Sequence, residues 1–213
     1  MSVRLFDRVG GREIAGLPTF HYVEVKRIFD ILFVVLVAPA TILLLAICAL
    51  AILVSMGRPI LFRQERVGKG GRVFNMCKLR TMETRHGSGV VATVRDDPRI
   101  TPLGHWLRLA HFDELPQLWN ILKGDMSLIG PRPEQPALVE AYRMALPEYD
   151  LRHSVVPGLT GWAQVYYGYA ADLDETRQKL IFDLYYVRNI SFRLDLKIFL
   201  RTFMIYANSK YVR

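Results

Sequence analysis

Two adjacent carboxylates, Asp113 and Glu114, are the side chains best suited to chemistry in this chain of 213 residues. They stand where a short helix is predicted to begin, with Asp113 as its N-cap and Pro116 in the first turn, where a missing N–H costs little. Lys123 followed by Gly124 predicts the end of this helix. Because a helix N-terminus carries partial positive charge, both carboxylates are expected to stay ionised there.

The same helix is predicted to have an apolar face, because four residues recur at helical spacing. They are Leu115, Leu118, Trp119 and Leu122. A purely structural interpretation of the carboxylates stays open at this point. An Asp before a helix is usually only a cap, and a Glu in the first turn usually only interacts with the helix dipole.

Cationic side chains near the pair favour a functional interpretation. Arg132 lies between two prolines in the segment GPRP, a rigid turn that fixes where one guanidinium points. Lys78 and Arg80 are placed after the second strand of a predicted β-hairpin, where they either face anions or belong to a solvated surface. Arg108 stands five residues before Asp113. A guanidinium fork suits phosphate oxygens, so the set indicates an anionic ligand.

The composition indicates a polyanionic partner. The formal net charge is +8 at pH 7, although 51% of the residues are hydrophobic. Nucleic acid, an anionic membrane face and phosphorylated substrates all fit this charge. The two cysteines, Cys48 and Cys77, form neither a CxxC motif nor a zinc spacing, which favours a reduced, cytosol-facing protein. No early apolar region predicts a signal peptide.

Residues 31–56 contain no charged side chain and are long enough to cross a bilayer as one transmembrane helix. Two features favour a re-entrant hairpin instead. Pro39 interrupts the segment, and basic residues flank it on both sides, which favours the cytoplasmic side for both ends. Asp30 at the entrance is expected to pair with Arg27 or to lie among lipid headgroups.

The other segments are assigned from their apolar pattern and their turn residues. Residues 1–25 are expected to be irregular, with a short strand near 20–23, and residues 60–82 form a β-hairpin around four turn residues, GKGG. The DDPR sequence at 96–99 is expected to form a turn, with a metal site as the alternative. Helices are predicted at 134–150 and 174–190, and a short extended piece follows the Pro-Gly turn within 155–165.

The last segment, residues 191–213, is predicted to be a basic amphipathic helix lying on a membrane. Arg193, Lys197 and Arg201 recur every four residues as one basic stripe, among apolar residues such as Ile198 and Phe203. The alternative is a surface helix whose apolar residues pack against the core.

Seven sequence blocks, in this order, resemble the bacterial sugar transferase family, the monotopic polyprenol-phosphate phosphoglycosyl transferases. The blocks are KRIFD, FRQERVG, KLRTM, DDPRITPLG, FDELPQLWNILKGDMSLIGPRP, PGLTGWAQV and DLYYVRN, and the resemblance extends over residues 26–202. The stretch VYYGYAADLDETRQKL is most similar to members that serve exopolysaccharide assembly.

The resemblance implies the fold class α+β, mainly helical. It implies a monotopic membrane protein with a Pro-broken re-entrant helical hairpin, in which Pro39 is the break, a small β-hairpin and interfacial amphipathic helices. Residues 1–25 would be an N-terminal segment or linker, 26–58 the re-entrant hairpin and 59–213 a cytosolic, membrane-associated catalytic domain. The implied location is the cytoplasmic face of the bacterial inner membrane.

The resemblance also implies a reaction. A sugar-1-phosphate moves from a UDP-sugar to undecaprenyl phosphate, UMP is released, and Mg²⁺ assists. Asp113 and Glu114 would be the catalytic pair and the metal ligands, with a covalent phosphosugar on Asp113. The residues expected to bind substrate or phosphate are Lys78, Arg80, Arg108, Arg132 and Thr160. The implied partners are the two substrates, the inner membrane and a second copy in a homodimer, with no nucleic acid.

Two departures from the family pattern stand out. Ala38 precedes the break proline, where members often have Ser, and Val156 replaces a basic residue before the Pro-Gly of PGLTGW. Arg152 or His153 is expected to bind the phosphate in place of that basic residue. Three alternatives remain: a polyprenyl-diphosphate hydrolase, a non-catalytic membrane scaffold, and a nucleic-acid-binding protein suggested by charge alone.

Overall fold

A computed structural model describes residues 20–83, 97–167 and 172–207. Residues 1–19 of the predicted linker at 1–25, and Asp96 of the DDPR turn, lie outside the described residues. Within them the chain is mostly helical, with two small two-stranded sheets, as the predicted α+β class requires.

The first element, α1, runs from Phe20 to Met56. The prediction of a strand near residue 20 is therefore wrong, because the apolar helical run extends back beyond the charged residues. The helix also continues through Pro39 instead of dividing into two. A proline inside a helix removes one hydrogen bond and bends the helix, and the flanking turns can still hold it together. Over residues 22–56, α1 is long and apolar enough to cross a membrane, and little of its most apolar stretch is buried inside the protein.

Both halves of α1 pack on the rest of the protein. In the first half, Val34 shares a buried apolar cluster with Met76 and Ile121. In the second half, Ile52 shares another buried cluster with Leu79. Residues 76 and 79 are close neighbours on one strand, so the two halves meet the protein near each other.

Two arginines join the ends of α1 to the rest of the protein through backbone carbonyls. Arg27 donates to the carbonyls of residues 121 and 122, at the end of another helix. Arg80 donates to the carbonyls of residues 56, 57 and 58, where α1 ends. Asp30 does not pair with Arg27 as predicted. It is buried and accepts a hydrogen bond from the backbone N–H of Leu128.

The predicted β-hairpin is confirmed. Strand β1, Leu61–Val67, pairs antiparallel with β2, Val73–Leu79. A short 3₁₀ turn, Lys69–Gly71, joins them and needs positive φ at Gly70 and Gly71, which glycine adopts without strain. Lys78 lies inside β2 and not after it.

Two short helices follow the β-hairpin along the chain. Helix α2, Pro102–Leu109, is capped by the Thr101 hydroxyl, which accepts from the N–H of Gly104. Helix α3, Gln117–Lys123, ends at Gly124 with positive φ, as the sequence predicts. The turn at 97–99 is also confirmed, with Asp97 accepting from the backbone and side chain of Arg99.

A parallel strand pair brings two distant loops together. Strand β3, Ser127–Ile129, pairs with β4, Gly158–Thr160. A Cβ on Gly158 would lie only 2.0 Å from the backbone nitrogen of Gly130, so the close approach requires glycine. The helices nearby are α4, Pro136–Ala145, and α5, Trp162–Tyr166, with a 3₁₀ turn at Tyr149–Ser154.

The last two helices close the fold. Helix α6, Leu173–Asn189, begins at the Asp172 cap, and α7, Phe192–Ala207, follows it. One face of α7 is packed, with Ile198 fully buried. Another face is apolar and exposed, with Phe192, Leu196, Leu200, Phe203 and Met204. The basic stripe of α7 is not simply solvated, because Lys197 lies over the Trp162 ring and Arg201 over the Tyr166 ring.

Candidate active site

Asp113 and Glu114 lie in a 3₁₀ turn, Phe112–Glu114, that joins α2 to α3. The prediction that Asp113 caps α3 is wrong, because the helix begins four residues later and Pro116 occupies its N-cap position. Proline has no N–H to donate, so the regular hydrogen bonds start only after it. The turn begins at His111, whose φ of 57° is uncommon for a residue with a side chain.

The predicted apolar face of α3 is divided between core and surface. Ile121 is fully buried, together with the polar residues Gln117 and Asn120. Trp119 is 60% exposed, and Leu122 is also exposed. The helix therefore presents the amide of Asn120 to the strand β2 and two large apolar side chains outward.

Glu114 is held by two cations. One carboxylate oxygen, Oε1, accepts from Lys78 Nζ at 2.7 Å and from Arg132 Nη2 at 2.5 Å. Burial by itself would raise the pKa of Glu114, but the charges of Arg132 and Lys78 and their hydrogen bonds outweigh burial and hold that pKa well below its usual range. Glu114 is therefore ionised because of these cations, and not because of a helix dipole.

Asp113 differs from Glu114 in its hydrogen bonding and in the direction of its pKa shift. Its residue is only 7% exposed, and no hydrogen bond joins its carboxylate to any part of the chain that the structure describes. Burial raises the pKa of Asp113, Lys78 opposes that shift, and the charge of Glu114 adds to it. One carboxylate of the pair is thus bound in ion pairs, while the other is available for a ligand.

Arg108 is brought to the pair, as predicted. It lies in the last turn of α2, and its Nε donates to the Thr81 hydroxyl at 2.8 Å. Its charge acts on Asp113 by lowering the pKa of that carboxyl. Lys78, Arg108 and Arg132 therefore surround the carboxylates from a strand, a helix and a turn.

The turn that carries Arg132 is held through its backbone by residues that sequence reasoning missed. Arg152 donates to the carbonyl of Arg132 at 2.7 Å and forms a salt bridge of 2.8 Å with Asp183. Arg66 donates to the carbonyl of Pro133 at 3.0 Å. No local pattern marks these contacts, because their partners are distant in the sequence.

The expectation that Arg152 or His153 compensates for Val156 is wrong. Arg152 is buried in its ion pair with Asp183, so its donors are already used inside the protein. His153 is also buried and lies 3.2 Å from Asp150, and burial lowers the pKa of its imidazole. A neutral, buried imidazole is a poor partner for a phosphate.

Two further predicted phosphate ligands are placed elsewhere. The guanidinium of Arg80 donates to the carbonyls at the end of α1, because the free carbonyls of a helix terminus need donors. The Thr160 hydroxyl is hydrogen-bonded to the Thr202 hydroxyl of α7 at 2.9 Å. Both residues hold elements together around the site and are not joined to the carboxylate pair.

The carboxylate pair fits the way in which proteins usually hold Mg²⁺. No group of three metal-ligating side chains occurs within residues 20–83, 97–167 and 172–207. Mg²⁺ needs no such group, because one or two carboxylates together with substrate phosphates and water complete its octahedral shell. Asp113, whose carboxylate is not hydrogen-bonded to the described residues, is the donor that best fits this role.

Comparison with known proteins gives the family. A family model described as bacterial sugar transferase matches residues 21–209. A protein of Aeromonas hydrophila, named UDP-N-acetylgalactosamine-undecaprenyl-phosphate N-acetylgalactosaminephosphotransferase, is 44% identical over 187 residues, which are 87% of this chain and 44% of that protein.

Two proteins named UDP-glucose:undecaprenyl-phosphate glucose-1-phosphate transferase are also similar. The Caulobacter vibrioides protein is 44% identical over 180 residues, 83% of this chain and 67% of that protein. The Escherichia coli protein is 40% identical over 187 residues, 86% of this chain and 40% of that protein. This chain thus spans less than half of the Aeromonas and Escherichia proteins. Because the family match extends over most of its length, the chain belongs to the bacterial sugar transferase family.

Proposed function

We propose that this protein transfers a sugar-1-phosphate from a UDP-sugar to undecaprenyl phosphate and releases UMP. The observation that carries the proposal is the 3₁₀ turn of Asp113 and Glu114. The Asp113 carboxylate accepts no hydrogen bond from the residues that the structure describes, and Glu114 beside it binds Lys78 and Arg132. The names of the relatives, which all describe undecaprenyl-phosphate sugar phosphotransferases, support the same reaction class.

The reaction proceeds in two displacements at one phosphorus atom. In the first, an oxygen of Asp113 attacks the phosphorus that carries the sugar, an O–P bond forms, and the bond to the bridging oxygen breaks. UMP leaves with that electron pair. In the second, a phosphate oxygen of undecaprenyl phosphate attacks the same phosphorus, and the Asp113 carboxylate leaves. The lipid then carries a diphosphate-linked sugar.

The cations make this attack possible, because an anionic nucleophile must approach anionic phosphate oxygens. Lys78 and Arg132 converge on one oxygen of Glu114, and ammonium and guanidinium groups each carry several N–H donors that can bind phosphates. Arg108 adds a third positive charge beside Asp113. Glu114 holds Lys78 and Arg132 in place, and its charge opposes the lowering of the Lys78 pKa by burial.

Mg²⁺ would be held by Asp113, with Glu114 beside it. When bound, it neutralises charge on the diphosphate and on the leaving phosphate. The residues of the chain supply the rest of the positive charge and fix the geometry of the attacking oxygen.

A re-entrant arrangement of α1 in the membrane belongs to the same proposal. Residues 27 and 56 would be about 44 Å apart in a straight helix. Both are nevertheless joined to neighbouring parts of the protein, residue 27 to the end of α3 and residue 56 to Arg80 after β2. The side chain of Asn120 in α3 is itself hydrogen-bonded to β2. These contacts favour a bend at Pro39 and a return to the same face.

A donor screen tests the reaction. Purified protein, undecaprenyl phosphate and Mg²⁺ are incubated with a panel of UDP-sugars, and UMP is measured. Release that depends on both the correct sugar and the lipid supports the transfer. Polyprenyl-diphosphate cleavage without a donor would support a hydrolase, and absence of turnover with every donor would support a scaffold.

A further inference from the structure

Gln117, the first residue of α3, is a buried amide with no part in the reaction described above. It is fully excluded from solvent, and neither its Nε2 nor its Oε1 has a hydrogen-bond partner within the described part of the chain. It is the only side chain there with both a buried donor and a buried acceptor left unpartnered. Burying an unbonded amide destabilises a fold, which indicates a functional role for this side chain.

The position of Gln117 relates it directly to the carboxylates. It lies three residues after Glu114 and four before Ile121, on one face of the helical stretch. Glu114 contacts Lys78, and Ile121 shares a cluster with Met76, two residues away on the same face of β2. Gln117 therefore lies on the side of α3 that carries Ile121, three residues after the carboxylate that binds Lys78.

The spacing of the two residues favours an approach of the Gln117 side chain to Asp113. Side chains on a helix tilt toward its N-terminus, so a long side chain covers the preceding turn. Asp113 is four residues earlier; the residue is only 7% exposed, and its carboxylate has no hydrogen bond among the described residues. A carboxylate acceptor and an amide donor, neither hydrogen-bonded among the described residues, thus stand four residues apart.

Asn120 is a natural contrast on the same helix. It is equally buried, but its Oδ1 accepts from the backbone N–H of Cys77 and its Nδ2 donates to the carbonyl of Asn75. Asn120 fastens α3 to β2, and this role explains its burial. Gln117 has no such structural task among the described residues.

We infer that Gln117 is a positioning residue for Asp113. Its Nε2–H donates to one oxygen of the Asp113 carboxylate when substrate engages, so that the other oxygen faces the phosphorus. The same hydrogen bond reaches the carbonyl oxygen of the acyl phosphate that follows. A neutral amide suits this task because it orients the carboxylate without neutralising the nucleophile. The inference rests on the proposed function and deepens it.

Gln117→Met tests this inference, because methionine has a similar length and no N–H. The thermal midpoint is expected to stay equal or to rise, since an unbonded buried amide is removed. The kcat for transfer is expected to fall about tenfold or more with the KM for the UDP-sugar unchanged, because the attacking oxygen loses its orientation. Rapid-quench measurement of UMP release without lipid should show the same loss.

Two further variants separate positioning from folding. Asn120→Leu should lower the thermal midpoint, the opposite of Gln117→Met. Gln117→His, which can present an N–H at a similar reach, should recover part of the lost kcat. A Gln117→Met enzyme with wild-type kcat, or one whose midpoint and activity fall together, would overturn the inference alone. Wild-type protein without turnover would overturn the proposed function and this inference with it.

Discussion

At the scale of single residues, the site separates two adjacent carboxylates into different roles. Glu114 shares one oxygen with Lys78 and Arg132, whereas Asp113 is buried without a hydrogen bond among the described residues. The Glu114 oxygen that already accepts hydrogen bonds from Lys78 and Arg132 is less available to attack a phosphorus atom. An unbonded one retains its lone pairs for a phosphorus atom or a metal ion. We therefore assign the attack to Asp113 and the support of the cations to Glu114.

Asp113→Asn is expected to abolish transfer and leave the fold intact. The amide cannot form the covalent intermediate, whose loss costs several powers of ten in rate, at about 1.4 kcal/mol for each tenfold step. UMP release and the thermal midpoint are the measurements. Asp174→Asn, at an exposed position in α6, is the control and should behave as wild type. Activity of the Asp113 variant above about a tenth of wild type would remove Asp113 as nucleophile.

The covalent intermediate can be detected directly. Protein, Mg²⁺ and the correct UDP-sugar, without lipid, should release at most one UMP per active site. The intact mass of rapidly quenched protein should rise by one phosphosugar, mapped to Asp113 and absent in Asp113→Asn. Absence of this adduct, together with kinetics that require both substrates before UMP leaves, would indicate direct attack by the lipid phosphate.

Arg132→Lys is expected to lower kcat/KM by about tenfold to a hundredfold with little change in stability. Lysine keeps the charge but loses the planar fork, so roughly one charge-assisted hydrogen bond of about 1.5–3 kcal/mol is lost. Arg143→Lys, in an exposed ion pair with Asp150, is the matched control. Equal kcat/KM for both variants would show that charge alone is needed at position 132.

At the scale of elements, the site depends on contacts that fix backbone and not only side chains. The β3–β4 pair and the close approach of Gly158 to Gly130 bring the turn of Arg132 next to the loop before α5. Arg152 holds the carbonyl of Arg132 and is itself held by Asp183 of α6. Helix α6 thereby sets the direction of a guanidinium through the backbone that carries it.

Asp183→Asn is expected to destabilise the protein by about 3 kcal/mol or more, because the buried Arg152 loses its ion-pair partner. Thermal unfolding measures this loss. The double variant Arg152→Met with Asp183→Leu should regain part of the stability but not the activity, since the carbonyl of Arg132 stays unheld. Asp150→Asn, in the exposed pair with Arg143, should change stability little. Equal effects at the two sites would contradict the role of the buried pair.

At the scale of the whole molecule, apolar surface lies beside the charged site. The outward side of α1, the exposed Trp106 of α2 and Trp119 of α3, and the exposed face of α7 are all apolar. A polyprenyl phosphate presents its headgroup at the membrane surface, so an enzyme acting on it needs its site at that depth. This distribution supports the proposed membrane association and the return of α1 to one face.

Both ends of α1 are expected to be labelled from the cytoplasmic side. Cysteines introduced at the exposed positions Glu24 and Arg63 are tested with a membrane-impermeant reagent, in a background without Cys48 and Cys77. Labelling of the two positions from opposite sides would show a true transmembrane helix. Pro39→Leu, which restores the missing hydrogen bond, should shift α1 toward such a span.

The sequence by itself determined the features that depend on neighbouring residues. The apolar helix, the β-hairpin and the end of α3 at Gly124 follow from local periodicity and turn residues. The resemblance of the motif blocks to the family also indicated Asp113, Glu114 and their neighbouring cations as candidate site residues.

Tertiary structure alone decided how those residues are used. Lys78 and Glu114 are 36 residues apart, and Arg152 and Asp183 are 31 apart. No local sequence pattern therefore predicts either ion pair. Asp113 and Glu114 look equivalent in the sequence, but in the fold Glu114 is ion-paired and has a lowered pKa, whereas the pKa of Asp113 is raised by burial. The fold also shows that Arg80 and Thr160 hold helices in place, because Arg80 donates to carbonyls at the end of α1 and the Thr160 hydroxyl is hydrogen-bonded to Thr202 of α7. The unpartnered amide of Gln117 is visible only once the surrounding chain is packed around it.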